Sequence, residues 1–163
     1  MELICGKVWR FGDGIDTDII IAARHLVLPI DEMKHYAMQP VSPDFASRAG
    51  SGDIIVAGKN FGCGSSREQA PAVLKALGIS VIIARSFARI FFRNAINLGL
   101  PVVECEGLHH QVDTGEMIQL NSVSGRIDLP AKNLTFSGSR LPDFLEKIIS
   151  AGGLIPFLTA RNN

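Results

Sequence analysis

Charge of one sign is what this sequence most conspicuously lacks, since sixteen Lys and Arg balance sixteen Asp and Glu. A chain with that balance sets up no field to draw in nucleic acid or an anionic membrane surface, and neither is expected as a partner. Long hydrophobic runs are missing as well: no segment approaches the ~18 apolar residues that a membrane helix requires. Cysteine is scarce. Cys5, Cys63 and Cys105 are an odd number with no C-x-x-C pair, which excludes a disulfide framework and a zinc site built by this chain alone. Cys5 and Cys105 sit among apolar neighbours and are expected to be buried, inert thiols. Cys63 is expected to pack as a small residue in a tight loop. The first seven residues lack the basic–apolar–small order of a secretion signal and read as a strand, so a cytoplasmic location is expected.

What is present is an ordinary globular composition, with 47% hydrophobic and 20% charged residues over 163 positions. That suits one domain, residues 1–163, with a substantial core. Residues 2–11 read as a strand, followed by the turn Gly12-Asp13-Gly14 and a polar corner, Asp16-Thr17-Asp18, running into Ile19-Ile20-Ile21. Residues 24–52 carry three prolines and one short helix near 31–38. An irregular stretch of that length is expected to be a mobile functional loop. From Ile54 the pattern alternates. Strands at 54–58, 80–84 and 100–104 enclose helices at 69–78 and from Ser86, as the helix cap, to Leu98. Such alternation implies parallel pairing with right-handed crossovers. After Gly107 short strands are expected at 117–120, 125–129 and 134–136, then a closing helix at 141–151. The fold class is α/β: a central, partly parallel sheet with flanking helices and β-rich flanks.

The stretch Lys59-Asn60-Phe61-Gly62-Cys63-Gly64-Ser65-Ser66-Arg67-Glu68 joins a strand to a helix. Its glycines allow close backbone approach to a ligand, and it presents two hydroxyls and a guanidinium together, a combination suited to a small carboxylate. It is neither a phosphate loop, lacking the G-x-x-x-x-G-K-[ST] spacing, nor a G-x-S-x-G elbow. A purely structural alternative exists, because Ser65-Ser66-Arg67-Glu68 fits the S-x-x-E capping box. Pro71 strains that alternative by falling beyond the first turn of a helix capped at Ser65. Asp16 and Asp18 read either as turn formers or as carboxylates that hold a substrate hydroxyl or orient a catalytic group. His109 and His110 are expected to be solvated in a loop, and Arg85, Arg89 and Arg93 to form one solvated helix face.

Six segments in order resemble the small subunits of the isopropylmalate isomerase branch of the aconitase superfamily. They are Gly6-Lys7-Val8-Trp9, Asp16-Thr17-Asp18-Ile19-Ile20, Ala23-Arg24-His25-Leu26, Gly52-Asp53-Ile54, Asn60–Glu68 and Ser86-Phe87-Ala88-Arg89-Ile90. The resemblance spans roughly residues 5–105 and implies the superfamily's swivelling-domain β/β/α fold. It also implies a hydro-lyase that interconverts 2-hydroxy and 3-hydroxy acids by removing and re-adding water, with a small hydroxy-dicarboxylate as substrate. The implied partner is a large iron–sulfur subunit whose [4Fe–4S] cluster binds through cysteines absent from this chain, in a heterodimer or heterotetramer. By resemblance Ser65 is the base, Asp18 helps hold substrate or orient Ser65, Arg67 clamps a carboxylate and Ser66 bonds the same group. Val27 and Leu28 are matched to the substrate-selecting loop, where homoaconitase-like relatives carry an arginine at the place of Val27. An apolar residue there implies an alkyl substituent and hence an isopropylmalate-type substrate of leucine biosynthesis. The alternatives are the small subunit of a homoaconitase or of a methylmalate or dimethylmalate dehydratase, and, from another class, a non-catalytic anion-binding domain.

Overall fold

The computed structural model describes residues 3–163. Strands are β1 (Leu3–Arg10), β2 (Ile54–Ala57), β3 (Val81–Ala84), β4 (Val102–Glu104), β5 (Met117–Asn121), β6 (Arg126–Leu129) and β7 (Leu134–Ser137). Helices are α1 (Thr17–Ile20), α2 (Ile30–Met33), α3 (Phe45–Arg48), α4 (Gln69–Ala76), α5 (Arg89–Asn97), α6 (Leu108–Gln111), α7 (Asp143–Ser150) and α8 (Leu154–Arg161). Among the described residues the strands form one sheet in the order β4-β3-β2-β1-β5-β6-β7. β1 to β4 pair in parallel, and β5 joins the other edge of β1 antiparallel, followed by the β6 and β7 hairpins. The expected partly parallel sheet and β-rich flank are both observed. Glu2, included in the expected first strand, lies outside the described residues.

The strand sequences follow from which faces are covered. β2 and β3 are apolar throughout because both faces are buried. Ile55, Ala57, Ile82 and Ala84 face a core shared with Val73 and Leu74 of α4, Phe91 and Ile96 of α5, and Ile148 of α7. Ile54, Val56, Val81 and Ile83 face a second core with Ile118, Leu120, Ile127 and Leu129, so the sheet folds its own flank over that side. β1 changes character along its length: its first half alternates exposed and buried, whereas Val8 and Trp9 are both buried where β2 joins.

Two of the matched segments serve the fold. A Cβ on Gly6 would come within 2.2 Å of the Gly52 carbonyl, so only glycine allows this approach. Trp9 Nε1 donates to Asp53 Oδ2 at 2.9 Å, the same oxygen accepts the Gly50 N–H, and Lys7 lies 3.8 Å away. The buried carboxylate is thereby paired, as burial requires.

Several expectations are corrected. The 24–52 stretch is a chain of single helical turns rather than one short helix in open loop, and Met33, Ala37, Met38 and Phe45 are built into the main core. Ser86 does not cap α5, whose preceding residue is Ala88; its hydroxyl instead accepts the Asn60 N–H at 2.9 Å. Cys5 is exposed, because it points from the open face of β1, while Cys105 is buried as expected. His109 is buried on α6, a helix the sequence reading treated as loop, and its Nδ1 has no partner among the described residues. Arg85 lies past the end of β3 and pairs with Glu106 at 3.1 Å, so it shares no helix with Arg89 and Arg93. The tail holds two helices, α7 and α8, where one was expected.

Candidate active site

The Lys59–Glu68 loop leaves the C-terminal end of β2, where ligands characteristically bind in parallel sheets. Its shape is fixed by three left-handed residues, Asn60 at φ 57°, Gly62 at 81° and Gly64 at 99°. At Gly62 the requirement is twofold, since an added Cβ would also lie 2.1 Å from Phe91 Cγ. The Ser86–Ile90 segment props the loop from below. Phe61 N–H donates to Ser86 O, Ala88 N–H donates to Phe61 O, and Phe61 packs edge-on against Phe87 and Phe91.

The other wall is the Ile15–Ile21 corner. Gly62 N–H donates to Ile15 O at 2.7 Å and Thr17 N–H to Cys63 O at 2.8 Å, zipping corner to loop. Asp16 caps α1 by accepting the Ile19 N–H at 2.8 Å, so its carboxylate has a local structural task. Thr17 is buried, and its Oγ1 lies 3.0 Å from Ser65 Oγ.

The capping-box alternative for Ser65 does not hold, because α4 begins at Gln69 and carries no side-chain cap. Pro71 then falls in the first turn, where a missing N–H leaves no helical bond unmade. Ser65 and Ser66 are exposed, and with Arg67, Glu68, Gln69 and Asn94 they line an open concavity. Asn94 reaches the loop from α5, donating to Ser66 O at 3.4 Å. The Arg67 side chain is mostly buried, with Nη1 held by Asp18 Oδ1 at 2.7 Å and by Ile21 O at 2.8 Å. Asp18 is therefore placed on Arg67, and the hydroxyl beside Ser65 belongs to Thr17.

Ser65, Ser66, Arg67 and Asp18 are thus brought together, whereas Val27 and Leu28 are not among the residues lining the concavity. Val27 is 88% exposed, and Leu28 packs partly against the core. His25 stacks on Tyr36 at 3.9 Å, with burial and Arg24 lowering its pKa. Sequence reasoning missed Thr17 and Asn94. Thr17 lies within the Asp16-Thr17-Asp18 segment, where the flanking carboxylates are the more obvious chemical groups, and Asn94 carries no local signal. No group of three or more His, Cys, Asp or Glu among the described residues is placed to hold a metal ion. The three cysteines are dispersed over β1, the loop and the end of β4, so this chain's own donors do not fit an iron–sulfur cluster.

Residues 33–106 match the family model described as the aconitase C-terminal domain. The chain is 50% identical over 151 residues to the 3-isopropylmalate dehydratase small subunit of Halothermothrix orenii, covering 92% of each protein. It belongs to the 3-isopropylmalate dehydratase small-subunit family. It is also 50% identical over 165 residues to the isopropylmalate/citramalate isomerase small subunit of Methanocaldococcus jannaschii, covering 98% of this chain and 96% of that one. A further relative is the 2,3-dimethylmalate dehydratase small subunit of Eubacterium barkeri, at 46% identity over 157 residues and 95% of this chain and 96% of that one. The crystal structure of a 3-isopropylmalate dehydratase from M. jannaschii superposes with a TM-score of 0.93 at 38% identity, covering 98% of this chain and 95% of that one. The small-subunit family thus accounts for the whole described fold, and the loop and corner above are its candidate active-site wall.

Proposed function

We propose that the chain is the small subunit of a 3-isopropylmalate dehydratase, a cytoplasmic hydro-lyase that isomerises 2- and 3-isopropylmalate in leucine biosynthesis. The observation that carries this reading is that an exposed Ser65 and an Arg67 whose guanidinium is anchored through one nitrogen line the same open concavity. Membership in the aconitase family implies an iron–sulfur cluster in the large subunit, so a working site needs both chains. No residue of this chain is assigned to the cluster.

Arg67 receives a substrate carboxylate. Its Nη1 is occupied by Asp18 and Ile21, which fixes the plane of the fork and leaves Nη2 and Nε to form a two-point contact. Ser66 bonds the same carboxylate from the loop. Ser65 takes the proton from the carbon beside that carboxylate and returns it during rehydration. A serine does this only when its alkoxide is stabilised by hydrogen-bond donors and nearby positive charge, a task we assign to the loop amides and Arg67. Val27 and Leu28, in the 24–52 loop of a single swivelling domain, meet the alkyl substituent in the assembled enzyme. An apolar contact there leaves an extra carboxylate unpaired and disfavours homoaconitate-type substrates.

A second reading, a dimethylmalate dehydratase, is favoured by the E. barkeri relative and keeps the same residues in the same roles. The test is hydration of dimethylcitraconate, of cis-homoaconitate and of dimethylmaleate by this chain mixed anaerobically with a cluster-loaded large subunit from the same genome. Preferential turnover of dimethylcitraconate is expected. Preference for dimethylmaleate selects the second reading, and preference for cis-homoaconitate refutes the role of Val27. Measurable dicarboxylate binding by this chain alone, without turnover in the complex, would make it an anion-binding module.

A further inference from the structure

We infer that Thr17 is the positioning residue for Ser65, holding its rotamer and donating the hydrogen bond that its alkoxide form needs; this rests on Ser65 being the base. Thr17 is only 2% exposed, so its hydroxyl depends on a protein partner. Among the described residues that partner is Ser65 Oγ, at 3.0 Å, and no other side chain bonds Ser65. The backbone fixes the pair from both sides, through Thr17 N–H to Cys63 O and Gly62 N–H to Ile15 O. Gly64 completes the arrangement: a Cβ there would stand 3.2 Å from Thr17 Oγ1, crowding the hydroxyl away from Ser65.

In the resting site either hydroxyl can donate to the other. That symmetry ends when Ser65 ionises, because an alkoxide has no proton and only Thr17 can then be the donor. The Thr17 proton stays on Thr17, while the substrate proton moves from carbon to the Ser65 oxygen and back. A bond to a charged acceptor is stronger than one between two neutral hydroxyls, so the Thr17 contact favours the ionised, reactive serine over the resting one. Asp18, the other candidate for orienting Ser65, is occupied with Arg67.

Thr17→Val keeps the shape and removes the hydroxyl; Thr17→Ser restores the hydroxyl. Assembled with the large subunit, Thr17→Val is expected to lower kcat about 10- to 100-fold, with KM changed by less than about 2-fold. The limb of the kcat–pH profile governed by Ser65 ionisation is expected to move to higher pH, and Thr17→Ser to recover both rate and profile. Thr17→Ala serves for the same comparison if the valine variant does not fold. A folded, assembled Thr17→Val complex with unchanged kcat and pH profile overturns the inference, as does Thr17→Ser impaired as deeply as Thr17→Val. Ser65→Ala, measured alongside, separates the two ideas. An active Ser65→Ala complex removes the base reading itself, whereas an inactive one beside an unaffected Thr17→Val removes only the role of Thr17.

Discussion

Replacing Gly62 by alanine isolates what holds the serine-bearing loop in place. Two costs are superimposed at this position. The backbone stands at φ 81°, in the left-handed region, where a residue with a Cβ costs about 1–2 kcal/mol. The new methyl would also lie 2.1 Å from Phe91 Cγ and 2.4 Å from its Cβ. Phe91 cannot swing aside easily, being 2% exposed and packed against Phe61 at a 5.2 Å centroid distance. Overpacking of that kind costs about 1–3 kcal/mol, so the sum is roughly 2–5 kcal/mol, a large share of the stability of a typical domain. Gly14→Ala is the internal control. Its φ of 67° carries the same backbone cost, but no atom lies within 4 Å of the added Cβ. Urea unfolding of the isolated chain, followed by circular dichroism, should place Gly62→Ala about 1–3 kcal/mol below Gly14→Ala. In a double-mutant cycle, Phe91→Ala, which removes the crowding Cγ, should cost less in the Gly62→Ala background than in the wild type, and should recover none of the backbone cost. Equal destabilisation by the two glycine substitutions would refute the claim that the Gly62–Phe91 contact sets the loop.

Cys5 should react with a thiol reagent in the native protein, whereas Cys105 should react only on unfolding, its burial also raising its thiol pKa. Cys63 is partly exposed, so the test uses Cys5→Ser with Cys63→Ser; rapid native labelling of that variant would contradict the burial of Cys105. Burial and the neighbouring His110 hold the His109 pKa below its ordinary value of 6.5, with Asp13 opposing and Arg10 and Arg85 reinforcing. The unfolded chain therefore takes up a proton first, and this histidine's contribution to stability falls as pH drops below about 6.5. His109→Gln should flatten the loss of urea resistance between pH 7 and pH 5, and an unchanged slope would reject it. Trp9→Phe should cost about 1–3 kcal/mol by leaving the Asp53 carboxylate short of a donor; a loss below that range in the urea midpoint would mean Lys7 and Gly50 suffice.

The parts of the fold that were legible in the sequence are those where one local pattern coincides with one environment. The β2 and β3 strands read as continuous apolar runs because both sheet faces are covered, and the crossover helices showed their 3.6-residue period. Cys5 was misread because β1 is two-sided only where β2 joins it, a pairing its own sequence does not encode. His109 was misread because its burial depends on elements distant in sequence. The loop's chemical residues were visible as a motif, but their division of labour was not. Asp16, Thr17 and Asp18 are adjacent in the chain, yet one caps a helix, one meets Ser65 and one meets Arg67. Spacing alone cannot divide those tasks, because a short helix starting at Thr17 points the three side chains in different directions.

The central claim, that Ser65 is the proton-abstracting base on a wall supplied by this subunit, is tested most directly by Ser65→Ala in the reconstituted, cluster-loaded complex. Single-turnover dehydration of 3-isopropylmalate should fall by several orders of magnitude, while substrate affinity, assembly and the unfolding midpoint stay near wild type. A Ser65→Ala complex that turns over at the wild-type rate would contradict the account.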